Sequence, residues 1–240
     1  GATFDLVCTL SQSDYKGSAQ VSATWIDWRL SEQGQALIAQ RQFELTDMRN
    51  VANPLTVFVD LLEQNADALV WAEGELPQQL HGKGRIELEP SNTLILWSTP
   101  PSQDVLQDVI GKVKPNRIVV FAINPKPDGV NGIMKRLAGL GKYVINHDRG
   151  ITSLEKLARA CAVDMGTIRV GLKYWEAMGK LAVDFEADDV RLRLENNPPD
   201  PSALEIYDAV LKSLVDEIRV YRRYFKNGTL ENFLKASIME

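Results

Sequence analysis

Apolar and polar positions alternate in three different ways along this chain, and each way predicts a different kind of structure. From Phe4 to Leu10, and again from Ala19 to Leu30, apolar residues fall on every second position, the period of a half-buried strand. SQSDYKGS lies between them, with Asp14 and Gly17 as turn residues, so the pair predicts a β-hairpin with a loop a few residues long. Two strands cannot bury both faces, so the hairpin calls for further strands, from elsewhere in the chain or from a segment outside it. QRQFELTDMR, from Gln40 to Arg49, reads as a third strand or a linker.

The middle of the chain changes pattern. NTLILWST and NRIVVFAI are continuous apolar runs, and ADALVWAEG is a shorter one ending at Gly74. Helical spacing separates them. PLTVFVDLLEQ puts Val57, Leu61 and Leu62 on one face, and PPSQDVLQDVIGKV keeps Val105, Leu106, Val109, Ile110 and Val113 in phase behind Ser102, a candidate N-cap. LPQQLHGK reads as a short helix, and GVNGIMKRLAGLGKY as a helix broken by glycines. Apolar strands alternating with amphipathic helices predict a small parallel sheet covered on both faces.

The last third is mostly helical. Ser153 caps a helix that turns Leu154, Leu157 and Ala158 inward, AVDMGT is a turn, and the next helix buries Ile168, Leu172, Trp175 and Met178. KLAVDFEADDVRLRL predicts a two-stranded wing. NNPPDPS is a linker, and a long helix follows from about Ala203 to Phe225, with TLENFLKASI as a short last helix. The expected fold class is therefore α/β: an N-terminal β-hairpin, a small parallel α/β sheet and a winged-helix-like helical C-terminal part. The expected boundaries are 1–50, 51–150, 151–195 and 196–240.

Composition narrows this little. With 45% hydrophobic and 25% charged residues the 240-residue chain is an ordinary globular mix. A net charge of -5 excludes a globally basic nucleic-acid binder but not a local basic patch. Cys8 and Cys161 sit in apolar surroundings, as small core residues do in a reducing compartment, and a cytoplasmic location is expected. No apolar run approaches the roughly 20 residues that span a bilayer, and no signal peptide is visible. A chain opening on Gly1 rather than Met predicts a processed chain or an excised piece.

Candidate chemistry is sparse. His147-Asp148 reads as a polar loop after a strand YVI rather than a metal pair, because metal sites gather more ligands. His81, in HGKG, gets no role. FAINPKPDGVNG lacks the G-x-G-x-x-G spacing and reads as a plain strand-to-helix loop. GLGKY places its glycines at a helix end. No Walker phosphate loop, no G-x-S-x-G and no CxxC pair is present. Across Ile151 to Lys180 five basic residues face three acidic ones, a mild surplus in which Arg169 and Lys173 lie on the exposed face of the second helix. That helix begins MGTIR, short of the Arg, Asn and Gln a base reader presents, so packing or protein docking is favoured over direct readout. VYRRYFK adds a second basic spot at the end of the long helix.

LSQSDYKGSAQVSATWIDWR resembles the end of the oligonucleotide-binding domain of RecJ-type single-strand-specific DNA exonucleases, on Tyr15, Lys16 and Gly17 followed by the alternating run from Val21 to Trp28 with Asp27. Thr152 to Val183 resembles the extra C-terminal domain of some bacterial RecJ proteins, and QFELTDMRN through NRIVVFAI fits the same domain. The family catalyses with a manganese site of Asp and His residues that includes an Asp-His-His motif, and nothing in this chain matches it. The resemblance thus implies a non-catalytic C-terminal accessory region of a 5'-3' single-stranded-DNA exonuclease of recombination and repair. Manganese or magnesium would belong to an upstream nuclease core and no cofactor to this chain. It implies single-stranded DNA as a ligand, with Tyr15 and Trp25 or Trp28 for stacking and Lys16 and Arg29 for phosphates. It also implies the acidic, apolar tail of the single-stranded-DNA-binding protein as a partner, with Arg169, Lys173, Arg222 and Arg223 as candidate contacts, and no membrane. The alternative is a winged-helix transcription regulator with an α/β ligand-sensing domain. A small-molecule enzyme built on the sheet ranks last, for want of paired catalytic groups.

Overall fold

The computed structural model describes residues 4–15, 18–30, 43–77 and 80–236, with side chains from residue 43 to residue 234. The chain divides into two units, Gly1–Gln40 and Arg41–Glu240.

In the first unit β1 (Phe4–Tyr15) pairs antiparallel with β2 (Ser18–Leu30). The hairpin is tighter than its turn residues imply. Ser11 to Asp14 extend β1, and Tyr15 pairs with Ser18. The strict alternation read from Val21 to Trp28 also breaks: Cys8 pairs with Trp25 and Val7 with Asp27, so a bulge interrupts the ladder at Ile26.

The second unit carries two sheets. Four parallel strands run in the order β3 (Glu44–Asp47), β6 (Arg117–Ile123), β5 (Thr93–Ser98), β4 (Leu69–Trp71). Glu44–Asp47 is thus a strand of this sheet, paired with β6. The apolar runs are continuous because both faces are covered. On one face Trp71, Leu94, Leu96, Ile118 and Val120 pack under α2 (Gln103–Val113) and under Phe225, Leu230 and Phe233. On the other, Val70, Ile95, Trp97, Val119 and Phe121 pack under Phe58 and Leu61 of α1 (Pro54–Gln64). Ser102 caps α2 by accepting from the Val105 amide.

The elements after the sheet share a second core. α3 (Val130–His147) is one continuous helix, against the expectation of a glycine break. Its glycines lie inside it, and Gly141 is buried where β9 approaches, its nearest neighbour being the Leu192 side chain. Tyr143 to Ile145, read as a strand, belong to this helix, and His147 ends it. LPQQLHGK is also no helix over its described residues: Leu80 to Lys83 are irregular, and Lys83 makes a single parallel bridge to Trp71. α4 (Leu154–Cys161) and α5 (Met165–Ala177) follow, with a three-stranded antiparallel sheet of β7 (Ile151–Ser153), β9 (Asp189–Leu194) and β8 (Leu181–Glu186). Leu157, Ile168, Leu172, Val183, Leu192 and Val215 meet in this core. Trp175 and Met178 are only half-buried.

The chain ends in the 27-residue α6 (Pro201–Asn227) and in α7 (Leu230–Ala236). Asp200 caps α6 at its start, and Pro201 occupies the first turn, where its missing N–H costs nothing. Its other end is held from the sheet: Arg49, just past β3, donates to the Phe225 and Gly228 carbonyls, while Asp47 holds the guanidinium at 2.7 Å. Among the described residues no helix is long and apolar enough to cross a membrane.

Candidate functional site

The nucleic-acid candidates do not converge. Tyr15 sits at the turn end of the hairpin, opposite Ser18, and Arg29 sits at the other end, opposite Asp5. Eleven strand residues at about 3.3 Å each separate Ser18 from Arg29, a run of roughly 35 Å. Lys16 lies outside the described residues.

Arg169 and Lys173 do come together. Asp164 caps α5, accepting from the Thr167 amide at 2.6 Å and from the Thr167 hydroxyl at 3.1 Å. Four residues apart, the two cations rise on one face of the helix. The Arg169 guanidinium stands 4.5 Å from the centroid of the Phe185 ring on β8, and the Lys173 ammonium stands 5.5 Å from it. Glu176 fastens the arrangement, taking a 2.6 Å bond from Lys173 and a 3.2 Å bond from the Val183 amide. The result is an exposed Arg and a half-exposed Lys spread over an aromatic ring. Cation–π attraction orients both without consuming their hydrogen-bond capacity. Such a surface suits a carboxylate or phosphate whose neighbour is apolar. The same contacts lay the cations along the β8–β9 hairpin.

Arg222 and Arg223 part company. Arg223 is exposed on α6, whereas Arg222 is only 4% exposed and faces inward. As a surface contact Arg222 fails, because helical phase turns it toward the carboxyl ends of the parallel strands. There it donates to the Ala162 carbonyl in the α4–α5 turn. Burial lowers its pKa to about 10, against the attraction of Asp128 and Glu73, so it stays charged at neutral pH. Its Nε has no partner.

Around it lies a polar cluster that the sequence reading missed. Glu73, two residues past β4 and 2% exposed, accepts from the Arg85 amide and Nε, both at 2.9 Å, from Arg85 Nη2 and from the Trp71 indole at 3.2 Å. Arg85, 4% exposed, also donates to the Val163 carbonyl at 3.1 Å. Ser98, ending β5, closes the ring by accepting from the Glu73 amide and donating to its carbonyl. Gly74 lets the segments meet: at φ +86° its α-carbon faces Pro125, the Lys126 carbonyl and Ala162, where a side chain would be strained. The signal available in the sequence was a lone Glu directly behind the all-apolar LVWA.

This cluster fills the place where parallel α/β sheets usually open a ligand crevice, outside the carboxyl ends of the strands. Its groups bond one another and bridge sheet, α4–α5 turn and α6. Burial pushes the Cys161 thiol up to about 11, so it packs rather than reacts. His147 stacks on Tyr143 at 4.6 Å, away from His81 in the loop beside β4. Among the described residues no group of three or more His, Cys, Asp or Glu is placed to hold a metal ion, so the manganese or magnesium of the resembled family finds no seat in them. No family model, no curated protein and no solved structure matches the chain.

Proposed function

We propose that this chain is a non-catalytic accessory region of a RecJ-type single-stranded-DNA exonuclease, and that it binds DNA through the hairpin and a partner protein through the α5 face. The exonuclease assignment rests on the resemblance of the Tyr15-Lys16-Gly17 hairpin and of the Thr152 to Val183 segment. The observation that carries the binding role is the Arg169–Lys173–Phe185 surface: the chain's cations gather over an aromatic ring on its outside, while the carboxyl ends of its parallel strands are filled by a closed ion cluster. An acidic peptide with apolar side chains matches that surface in charge and in greasiness. Arg223 is the third exposed candidate. A cytoplasmic location goes with this reading, and metal-dependent cleavage would belong to the rest of the exonuclease.

One arrangement favours a second reading. α4, a turn, α5 and the β8–β9 hairpin follow one another as in a winged helix, the order a duplex-reading regulator would use. Against it, the α5 cations lie along the hairpin's Phe185. The two readings separate in a fluorescence-anisotropy titration of the intact chain with a labelled single strand and with the matching duplex. The accessory reading expects tighter binding of the single strand, lost in part on Lys16→Ala with Tyr15→Ala. Preference for a particular duplex, abolished by Arg169→Ala with Lys173→Ala, would overturn it.

A further inference from the structure

α6 has two apolar stripes, and the core uses only one. Leu211, Val215, Ile218 and Phe225 point inward with Arg222. On the opposite side Ile206, Val210, Ser213, Glu217, Val220 and Tyr224 follow one another at spacings of four and three, the 3.5-residue period of a helix–helix seam. Its apolar members stand in solvent: Ile206 is 61% exposed, Val210 41%, Val220 62% and Tyr224 58%. Around its C-terminal half the surface dips into a shallow depression of about 560 Å³ lined by Ser213, Asp216, Glu217, Val220, Tyr221 and Tyr224.

The seam is also self-complementary. Its apolar residues sit at the two ends, with the polar pair Ser213 and Glu217 between them. Charge runs along its flank with a polarity: Glu205 and Asp208 lie in the N-terminal half, and Arg219 and Arg223 in the C-terminal half. Turn a second copy end over end about an axis near Val215. Ile206 of one copy then meets Tyr224 of the other, Val210 meets Val220, and Ser213 meets Glu217. The same operation brings Glu205 to Arg223, Asp208 to Arg219 and Lys212 to Asp216, each an opposite-sign pair. A parallel pairing would instead set Glu205 on Glu205 and Arg223 on Arg223, which repels. A two-fold interface needs one patch that complements itself, and this helix face meets that condition in both shape period and charge.

We infer that the outer face of α6 is a self-association surface, on which two copies of the chain pair antiparallel through Ile206, Val210, Val220 and Tyr224. Some of the flanking charges already have partners within the chain, Asp208 with Lys212 and Arg219 with Asp216 and Asp128. The dimer exchanges these exposed pairs for intermolecular ones, so the apolar ends supply affinity and the charges set direction.

Sedimentation equilibrium of the intact chain tests this. The expected mass rises from the 26.8 kDa of one chain toward twice that value as concentration increases. Val220→Asp with Tyr224→Ser, both at exposed positions, should hold the chain monomeric with an unchanged circular-dichroism spectrum. Arg223→Glu alone should weaken association about tenfold, and adding Glu205→Arg in the same chain should restore it. A constant monomer mass up to about 100 µM, the weak end for a specific interface, overturns the inference and leaves the seam to a helix of another protein. A dimer indifferent to Val220→Asp, or one weakened by Arg223→Glu but not rescued by Glu205→Arg, overturns it equally.

Discussion

Two groups of arginines show how one residue type takes opposite roles in this molecule. Arg85 and Arg222 lie under the carboxyl ends of the parallel sheet, almost without solvent, bonded to Glu73 and to the Val163 and Ala162 carbonyls. Arg169 lies outside, on α5, oriented by the Phe185 ring and open to solvent. The first group is enclosed by the fold and holds three elements together. The second group is displayed by the fold and is available to a ligand. Local sequence does not distinguish them, since Arg222 and Arg223 are neighbours and divide between the two roles.

The sharpest way to break the comparison is to remove one half of the buried pair. Glu73→Ala leaves Arg85 without its carboxylate in the interior and should cost about 3–5 kcal/mol of stability, read from urea unfolding. Replacing Glu73 and Arg85 together by leucine should recover a good part of that loss. Arg222→Ala strands the Ala162 carbonyl and opens space beneath α6, for a cost of about 1–3 kcal/mol. Gly74→Ala, at φ +86° against Pro125 and Ala162, should cost at least about 1 kcal/mol, visible as a lower melting temperature. On the displayed side, Arg169→Ala with Lys173→Ala should leave stability within about 0.5 kcal/mol, since neither cation is buried. Equal losses on both sides would erase the distinction.

The smallest effect concerns acid. Asp47 has its carboxyl held below its ordinary 3.8 by the hydrogen bond from Arg49, with burial opposing. The folded state therefore binds this proton less readily than the unfolded chain. The contribution is complete above about pH 4 and is lost as pH falls through the depressed value. Asp47→Asn should lower the melting temperature slightly at neutral pH, and the gap should close in acid. Because Asp47 is partly exposed, the gap stays small.

Patterns that act over a few residues were legible in the sequence. The continuous runs TLILW and IVVFA announced strands buried on both faces, and Ser102 and Ser153 announced helix starts that their side chains indeed cap. Features decided by distant contacts were not. The glycines of α3 argued for a break, yet the helix continues, because packing of Met134, Leu137 and Val144 overrides weak local propensity. Glu44–Asp47 looked uncommitted until β6 offered it an edge. Glu73 and Arg85 are twelve residues apart, and Arg222 meets Ala162 across sixty, so no local motif could pair them. The Ile26 bulge left no trace in the alternation of β2. The Arg169–Lys173 face was visible from helical phase, but not the Phe185 ring beneath it.

The most direct test of the account is a calorimetric titration of the intact chain with an acidic peptide carrying a C-terminal apolar residue. The account predicts saturable binding that weakens about tenfold in the Arg169→Ala, Lys173→Ala double variant, a loss of about 1.4 kcal/mol, and that fades with salt. Binding unchanged in that variant, or none at all while the single variant Glu73→Ala unfolds as expected, would contradict it and reduce α5 to a packing element.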